Sequence, residues 1–285
     1  MNNVLIVGSG AMGCGITYVF AKYYPNAKIY VIESNSNQSN IALSNWRKWF
    51  RKDLKISDDQ ATSLVSKIII KENFDALGNI SWDLLLEAVS ENIELKVKIF
   101  QQFNLLANSA TIIASNTSSL SVSMLAATVD HNKVKNVLGM HFFNPVKIMK
   151  LLEVVTTEEN PNEVIKKVKK IGETLNKEVV ICKDSPGFIT SRLGIVFLNE
   201  AIFTLQEGLA SAQDIDKAVK LGYNHPMGPL ALADFIGLDV VFAVLNTLFD
   251  NYQDSKYRPC LLLRKKVELG HLGQKSGKGF FEYNN

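Results

Sequence analysis

Val4-Leu-Ile-Val-Gly-Ser-Gly-Ala-Met-Gly13 joins a short β-branched apolar run to a loop with three glycines. The apolar run predicts a buried strand, and a helical pattern follows from Met12 to about Tyr23. The loop fits the pattern GxGxxG, which is a weak signal when it stands alone. Glu33 ends the next strand-like segment, 20 residues after Gly13, and this strand–loop–helix–strand context is typical of a dinucleotide-binding fold.

The glycine loop also predicts where such a cofactor binds. Glycines allow a tight turn and a close approach of the backbone to a pyrophosphate, and the helix N-terminus attracts the anion. Glu33 would accept a hydrogen bond from the adenosine ribose 2′-hydroxyl and repel a 2′-phosphate, which favours NAD over NADP. An ordinary glycine turn beside a surface glutamate is the alternative. The candidate cofactor-binding residues are Gly8, Gly10, Ala11, Met12, Gly13 and Glu33.

Strand-like and helical segments alternate through the first part of the chain. Strands are predicted at residues 4–7, 28–32, 66–70, 84–87, 111–114, 134–140, 151–155 and 178–181, and helices at 12–23, 40–54, 91–106 and 162–175. This alternation predicts an α/β fold with a Rossmann-type, doubly wound and mostly parallel sheet. We place this NAD-binding domain at residues 1–185, with a helical arm at about 40–65.

The pattern changes at Asp184-Ser-Pro-Gly187, where the Pro-Gly pair predicts a turn. Beyond this turn strand-like patterns almost vanish, and helices are predicted at residues 188–207, 212–221, 238–249 and 259–269. We therefore expect an all-helical C-terminal domain at residues 186–285.

Composition and charge exclude several classes of protein. The chain has 285 residues with 31 basic and 28 acidic side chains, and a formal net charge of +3 argues against general nucleic-acid binding. No apolar run approaches the roughly 18 residues of a membrane span, so no membrane insertion is expected. Cys14, Cys182 and Cys260 are widely separated, which predicts neither a disulfide framework nor a metal site. No basic leader precedes the first strand, so we expect a cytoplasmic protein.

His141 and Glu153 are the candidate catalytic pair. His141 stands where a strand-like segment gives way to a loop, and Glu153 lies in the next strand-like run. In a doubly wound sheet the carboxyl ends of the strands face the ligand crevice. A His–Glu pair suits removal of a hydroxyl proton as hydride leaves the same carbon, because the imidazole takes the proton and the carboxylate orients it. A structural histidine at a strand end is the alternative.

Motifs along the whole chain carry a family resemblance. They lie at residues 8–13, 87–91 with Lys96, 115–120, 139–145, 150–153, 184–189, 216–222, 225–229, 233–239 and 273–280. With these motifs in family order, the chain resembles short-chain L-3-hydroxyacyl-CoA dehydrogenases and is especially similar to bacterial 3-hydroxybutyryl-CoA dehydrogenases. The resemblance implies reversible NAD-dependent oxidation of a short-chain L-3-hydroxyacyl-CoA, such as 3-hydroxybutyryl-CoA, to the 3-ketoacyl-CoA.

The same resemblance implies roles for individual residues. His141 would be the general base and Glu153 its partner, and Ser118 would contact both the substrate oxygen and the cofactor. Four further residues match positions that line the NAD pocket: Glu91, Lys96, Asn144 and Lys275. The C-terminal domain would contribute to the substrate site and pair two chains as a homodimer.

One residue departs from the family pattern. Ser191 stands where the family has an asparagine that is implied to hydrogen-bond the substrate oxygen. Serine is shorter than the amide, so a longer or water-mediated hydrogen bond is expected. Three consequences are open: a slower enzyme, a different substrate range, or compensation by Ser118. We expect an active enzyme, because His141 and Glu153 are both present.

The helical arm has a strongly basic segment at residues 46–55, with five basic side chains and one acidic side chain. Four apolar side chains recur there with helical spacing: Trp46, Trp49, Phe50 and Leu54. The resemblance implies that such an arm binds the CoA moiety, and Arg51, Lys52 and Lys55 are the candidates for contact with its phosphates. A solvated charged face is the alternative, while nucleic-acid or membrane-surface binding has less support.

Two other functions fit the same fold. The first is a dehydrogenase of a free hydroxy acid or sugar acid, which would not use the basic arm. The second is a catalytically weak, NAD-binding protein of the crystallin type, for which Ser191 is the only support. The His–Glu pair and the basic arm together favour the acyl-CoA substrate.

Overall fold

One eight-stranded sheet organises the first of two units, Met1–Asp184, in the computed structural model, which describes residues 1–283. Its strands are β1 (Asn3–Val7), β2 (Lys28–Ile32), β3 (Ile68–Lys71), β4 (Leu84–Glu87), β5 (Ile112–Ser115), β6 (Val137–Phe142), β7 (Leu151–Thr156) and β8 (Glu178–Lys183). They are ordered β3-β2-β1-β4-β5-β6-β7-β8, and every neighbouring pair is parallel except β6 and β7. The predicted Rossmann-type, mostly parallel sheet is confirmed.

Helices pack against this sheet because its central strands are mostly apolar and buried. All four residues of β4 are buried, as are the last four of β1. The helices of this unit are α1 (Ala11–Tyr23), α2 (Ser36–Leu54), α3 (Asp58–Val65), α4 (Ile93–Leu106), α5 (Val122–Ala126), α6 (His131–Val134) and α7 (Asn162–Thr174). Side chains from several of them join the strands in one core.

The strand order reverses beside β1, and this reversal positions the candidate site. The chain runs outward from β1 to β3, then returns to place β4 on the other side of β1. In such sheets ligands bind in the crevice outside the carboxyl ends of the strands at this switch point. The glycine loop lies directly after β1, so it stands at that crevice.

The structure corrects two predicted strands. The strand predicted at 134–140 is β6, Val137–Phe142, because residues 131–134 form α6. Lys133 Nζ donates to the main-chain oxygen of Asn104 at 2.6 Å, which holds this short helix against α4. The strand predicted at 66–70 is β3, Ile68–Lys71, because α3 occupies the preceding residues and begins with a capping box between Ser57 and Gln60.

The helical arm consists of α2 and α3. Lys55, in the left-handed conformation with φ +53°, ends α2 before α3 begins. Trp46 and Phe50 are buried, and the indole N–H of Trp46 donates to the main-chain oxygen of Cys14 at 2.8 Å. These contacts fix α2 on α1, whereas Leu54 of the predicted apolar stripe is 40% exposed.

The second unit, from Ser185 onward, is helical apart from two isolated β-bridges among its residues up to 283. Its α-helices are α8 (Thr190–Gln206), α9 (Ala212–Gly222), α10 (Pro229–Ile236), α11 (Leu238–Tyr252) and α12 (Leu261–Glu268). The sequence does not predict α10, because its N-terminal cap comes from outside the segment. The Asp216 carboxylate of α9 accepts hydrogen bonds from the N–H groups of Leu230 and Ala231 at 2.8 and 2.9 Å.

No single helix within residues 1–283 has the length and apolar character needed to cross a membrane. The consecutive helices α10 and α11 reach that length only when they are taken together, and a bend of 95° separates them.

Candidate active site

The glycine loop is shaped by close packing on one side and open space on the other. Gly8 has a φ of +95°, and a Cβ there would lie 2.9 Å from the main-chain oxygen of Ala88. A Cβ on Gly13 would overlap the main-chain oxygen of Gly8, so both positions require glycine. A Cβ on Gly10 would meet no atom within 4 Å, which leaves this side of the loop open to a ligand.

The first turn of α1 offers hydrogen-bond donors to an anion. Gly10 is the N-cap, and no side chain caps the helix. The N–H groups from Ala11 to Gly13 have no acceptor inside the helix, and the positive end of the helix dipole lies at the same place. Together with the open side of Gly10, this arrangement fits the pyrophosphate of the predicted dinucleotide.

Glu33 is tied to the glycine loop. Its Oε2 accepts hydrogen bonds from the N–H and hydroxyl groups of Ser9 at 3.0 and 2.9 Å, and its Oε1 accepts from the N–H of Asn35 at 3.0 Å. Gly10, Glu33 and Leu95 border a cavity of about 470 Å³. The carboxylate is therefore fixed at the edge of a space where a ribose would lie, as its position after β2 predicts.

A cluster of charged groups lies at the end of β4. Glu87, the last residue of β4, is fully buried and accepts hydrogen bonds from Lys96 Nζ and Ser115 Oγ, each at 2.6 Å. Lys96 is also fully buried, and its Nζ lies 3.3 Å from Oε2 of Glu91. Because a buried ion needs a partner of opposite charge, the three side chains form one interdependent unit.

Glu91 holds the loop that carries Ser118. Its Oε1 accepts hydrogen bonds from Thr117 Oγ1 at 2.6 Å, from the N–H groups of Ser118 and Ser119 at 2.9 and 3.0 Å, and from both serine hydroxyls. Burial acts to raise the pKa of Glu91, but the charge of Lys96 and the hydrogen bonds outweigh it, so the pKa lies below its usual value. Ser118 is half-buried beyond the carboxyl end of β5.

Sequence reasoning misses Glu87, Ser115 and Thr117 as members of this cluster. One signal was available, because Glu87 ends an otherwise apolar strand, Leu84–Glu87. A carboxylate in such a position is buried and requires a cation or several donors nearby. The structure also places Lys96, which was predicted to line the NAD pocket, between two carboxylates beneath the Ser118 loop.

His141 and Glu153 face each other across the antiparallel pair β6 and β7. They are directly opposite in register, and His141 Nδ1 lies 2.7 Å from Glu153 Oε2. Both residues are buried, with 7% and 1% of their surfaces exposed. The carboxylate favours the tautomer with the proton on Nδ1, which makes Nε2 the basic nitrogen. The two residues predicted as a pair are thus in direct contact.

Asn116 extends the pairing of β5 and β6 beside this histidine. The backbone register of the two strands ends at Ser115 and Gly139. The side-chain oxygen of Asn116 then accepts a hydrogen bond from the N–H of Phe142 at 2.8 Å, so it takes the place of a backbone acceptor. This bond fixes the main chain immediately after His141.

Asn144 begins the turn between β6 and β7, and its side chain is exposed. The turn residues 144–148 and the loop residues Gly10 and Ala11 line a cavity of about 510 Å³, together with Trp49 and Asn45 of α2. The structure therefore brings Asn144, the glycine loop and the helical arm to one cavity of the first unit.

The three basic candidates on the arm are solvent-exposed. Arg51 and Lys52 lie in the last turn of α2, and Lys55 follows it. Arg51 Nη1 lies 3.9 Å from Asp58 Oδ1, a distance too long for a hydrogen bond. Their charges are consequently accessible to an anionic ligand.

Ser191 and Lys275 belong to the second unit. Ser191 is half-buried in the first turn of α8, and its neighbour Arg192 donates from Nε to Tyr257 Oη at 3.0 Å. Lys275 Nζ lies 2.6 Å from Asp239 Oδ1 in an exposed ion pair.

Family models match almost the whole chain. The model of the 3-hydroxyacyl-CoA dehydrogenase NAD-binding domain matches residues 3–185, and the model of the 3-hydroxyacyl-CoA dehydrogenase C-terminal domain matches residues 187–283. The sequence is 38% identical to a probable 3-hydroxybutyryl-CoA dehydrogenase of Bacillus subtilis, over 99% of this chain and 98% of that protein. It is 37% identical to a 3-hydroxybutyryl-CoA dehydrogenase of Bradyrhizobium diazoefficiens, over 99% of this chain and 96% of that protein.

Solved structures have the same fold. The crystal structure of the (S)-3-hydroxybutyryl-CoA dehydrogenase of Ralstonia eutropha superposes with a TM-score of 0.90 at 37% sequence identity, and the match covers 100% of both chains. The similarity therefore extends through both units, including the strands that carry the candidate site.

Proposed function

Because the chain belongs to the 3-hydroxyacyl-CoA dehydrogenase family, we propose that it reversibly oxidises a short-chain L-3-hydroxyacyl-CoA, such as 3-hydroxybutyryl-CoA, to the 3-ketoacyl-CoA. Family membership confirms two predictions from the sequence, an NAD-dependent oxidoreductase and NAD as its cofactor. The observation that supports the proposed oxidation of a 3-hydroxyl group is the contact of 2.7 Å between His141 Nδ1 and Glu153 Oε2.

His141 acts as the general base in this proposal. Its Nε2 takes the proton of the substrate 3-hydroxyl group, and Glu153 stabilises the imidazolium that forms. Bound NAD⁺ supplies the acceptor for the hydride that leaves the same carbon. The substrate thus loses a hydride from carbon 3 and a proton from the hydroxyl oxygen, which leaves a carbonyl group, and in the reverse direction His141 returns the proton to the carbonyl oxygen.

Two serines stabilise the reacting oxygen. The Ser118 hydroxyl, which donates to Glu91 Oε1 at 3.2 Å, would turn its proton to this oxygen, and the family resemblance implies a second contact from Ser191. A preorganised donor is worth about 10²–10³ in rate when it is fully used. The hydrogen bonds from Thr117, Ser118 and Ser119 to Glu91 support this role, because they hold Ser118 in place before substrate arrives.

The cofactor would be held mainly by backbone groups. The loop residues Gly8, Gly10, Ala11, Met12 and Gly13 would hold the pyrophosphate, and Glu33 the adenosine ribose. Asn144 would bond the nicotinamide end, and the family resemblance assigns Lys275 to the cofactor. Glu91 and Lys96 would act at this pocket through the Ser118 loop, given their contacts with each other and with Glu87.

The CoA phosphates would bind the basic face of α2. Arg51 and Lys52 are exposed in the last turn of α2 and Lys55 directly after it, and Trp49 of the same helix borders the cavity of about 510 Å³. We further propose a homodimer formed through the second unit, and a cytoplasmic location. The family resemblance implies the homodimer.

The direct test is NADH absorbance with acetoacetyl-CoA and purified protein. We expect turnover within the usual enzymatic range of about 1–10³ s⁻¹, with little activity on NADPH because Glu33 repels a 2′-phosphate. Free acetoacetate is the matched control, since it lacks only the CoA moiety. Activity on acetoacetate alone would select the free-acid dehydrogenase, and NADH binding without turnover would select the catalytically weak protein.

A further inference from the structure

A lysine is buried behind the turn that joins β6 to β7. Lys177 lies between α7 and β8, and only 7% of its surface is exposed. Its Nζ donates one hydrogen bond to the main-chain oxygen of Val146 and another to that of Met149, the latter at 2.7 Å. Both acceptors belong to the turn that begins with Asn144.

Backbone hydrogen bonds to Pro145 close the turn from within. The N–H groups of Ile148 and Met149 both donate to the main-chain oxygen of Pro145, at 2.9 and 3.0 Å. Lys177 adds two bonds from outside the turn, and a single ammonium group thereby ties positions 146 and 149 to the segment that follows α7. The front of the same turn borders the cavity of about 510 Å³ that Gly10 and Ala11 also line.

Burying this lysine carries an energetic cost. Burial of the ammonium, with a smaller contribution from the like charge of Lys150, lowers the pKa of Lys177 to about 8. Its two hydrogen-bond acceptors are uncharged carbonyl groups, so no carboxylate compensates the lost hydration through these bonds. An apolar side chain would avoid this cost but would leave the two carbonyls without their donor.

We propose that Lys177 is a positioning residue for the cofactor, which holds the turn 144–149 so that Asn144 faces the nicotinamide end of the bound dinucleotide. The proposal rests on the function proposed above, since it takes Asn144 as a cofactor contact. Lys177 does not touch the ligand in this arrangement. It acts through the main-chain oxygens of Val146 and Met149, so its loss moves the turn and not the histidine, which the β6–β7 register holds.

The test compares K177M, K177Q, K177R and K183M. Lys183 provides the matched control, because its side chain is 81% exposed and pairs only on the surface with Glu158. The first measurement is the Kd for NADH by fluorescence, without acyl-CoA. We expect K177M to bind NADH about tenfold more weakly, the loss expected for one hydrogen bond from a charged donor. K177R should recover most of the affinity, and K183M should match the wild type.

Two further measurements separate positioning from a general structural role. Hydrogen exchange of the ligand-free protein should rise in residues 146–149 of K177M and remain unchanged in the β6 and β7 cores. With saturating acetoacetyl-CoA, the KM for NADH should rise about tenfold while kcat stays within about threefold, because His141 and Glu153 keep their contact.

The NADH affinity of K177M tests the role of Lys177, whereas turnover of acetoacetyl-CoA tests the proposed function. A folded K177M with NADH affinity within twofold of the wild type would overturn the inference, even if the protein turns over acetoacetyl-CoA. Loss of folding in both K177M and K177Q would also overturn it, because the lysine would then be a determinant of folding. NADH affinity that depends on Lys177 without turnover would leave the inference standing and contradict the proposed function.

Discussion

The first unit holds charged groups in two opposite ways. Near the carboxyl ends of β4 and β6, the residues Glu87, Lys96, His141 and Glu153 are at most 7% exposed, and each contacts another ionisable group. At the end of α2, by contrast, the basic side chains are exposed to solvent. Buried charges depend on fixed partners, whereas exposed charges remain hydrated and are screened by salt.

The buried region and the exposed region therefore control different properties of the protein. A change in the buried region leaves a partner without its counterpart, so it affects the chemical step or the stability of the fold. A change in the exposed region alters only the attraction of a charged ligand, so it affects KM and its dependence on salt. Variants of the buried and of the exposed residues test this division.

His141→Ala should have the largest effect. Without an imidazole to take the proton, we expect kcat to fall by about 10²–10⁴, while the Kd for NADH stays within about threefold because the glycine loop is untouched. His131→Ala is the control, since His131 lies exposed in α6. Steady-state kinetics and NADH fluorescence measure both quantities, and a kcat within tenfold of the wild type would refute the role as base.

Lys96→Met should have the next largest effect, on stability. The substitution leaves Glu87 buried without its cation, and breaking a buried pair costs about 3–5 kcal/mol in the free energy of unfolding. Denaturation in urea measures this loss, with Lys183→Met as the control for an exposed pair. An equal and small loss of unfolding free energy in both variants would mean that the buried ion pair contributes no more to stability than the exposed one.

The fold was predictable because its signals are local. The glycine loop, the β-branched strands and the Pro-Gly pair at Pro186 each act over a few residues, and they are sufficient for the Rossmann-type sheet and for helices after it. The helix α10 was not predicted although Pro229 stands in its first turn, and its N-terminal N–H groups bind Asp216, 14 residues before Leu230. Boundaries set by such distant partners do not appear in a local pattern.

The candidate site was predictable to a different extent. His141 and Glu153 stand at recognisable positions, and their register across β6 and β7 makes them meet. The contacts of Lys177 with Val146 and Met149 form only because α7 brings the chain back to the turn between β6 and β7. No periodicity or motif around Lys177 indicates that its side chain is buried, so only the folded chain reveals it.

Charge reversal on the arm should have a moderate effect. Lys52→Glu with Lys55→Glu replaces two exposed cations, and we expect the KM for acetoacetyl-CoA to rise about tenfold at low salt with kcat almost unchanged. The difference in KM between the variant and the wild type should shrink as salt is added, because salt screens the attraction between the lysines of the wild type and the CoA phosphates.

The control for this variant keeps the same change in net charge. Lys166→Glu with Lys170→Glu alters two exposed lysines on α7, away from the basic face of α2. An equal rise in KM from both double variants would mean that only the total charge matters. The specific assignment of the CoA phosphates to α2 would then be wrong.

Ser191→Asn should have the smallest effect, and it tests the departure from the family pattern. If Ser191 replaces an asparagine that contacts the substrate oxygen, the longer amide should form a shorter hydrogen bond and raise kcat by about threefold to tenfold. Ser191→Ala should lower kcat by a similar factor, since it removes the hydroxyl without adding bulk. The NADH affinity of both variants should stay unchanged. A fall in kcat for Ser191→Asn would instead indicate that the surroundings of α8 are adapted to serine, and that Ser118 already supplies the main contact to the oxygen.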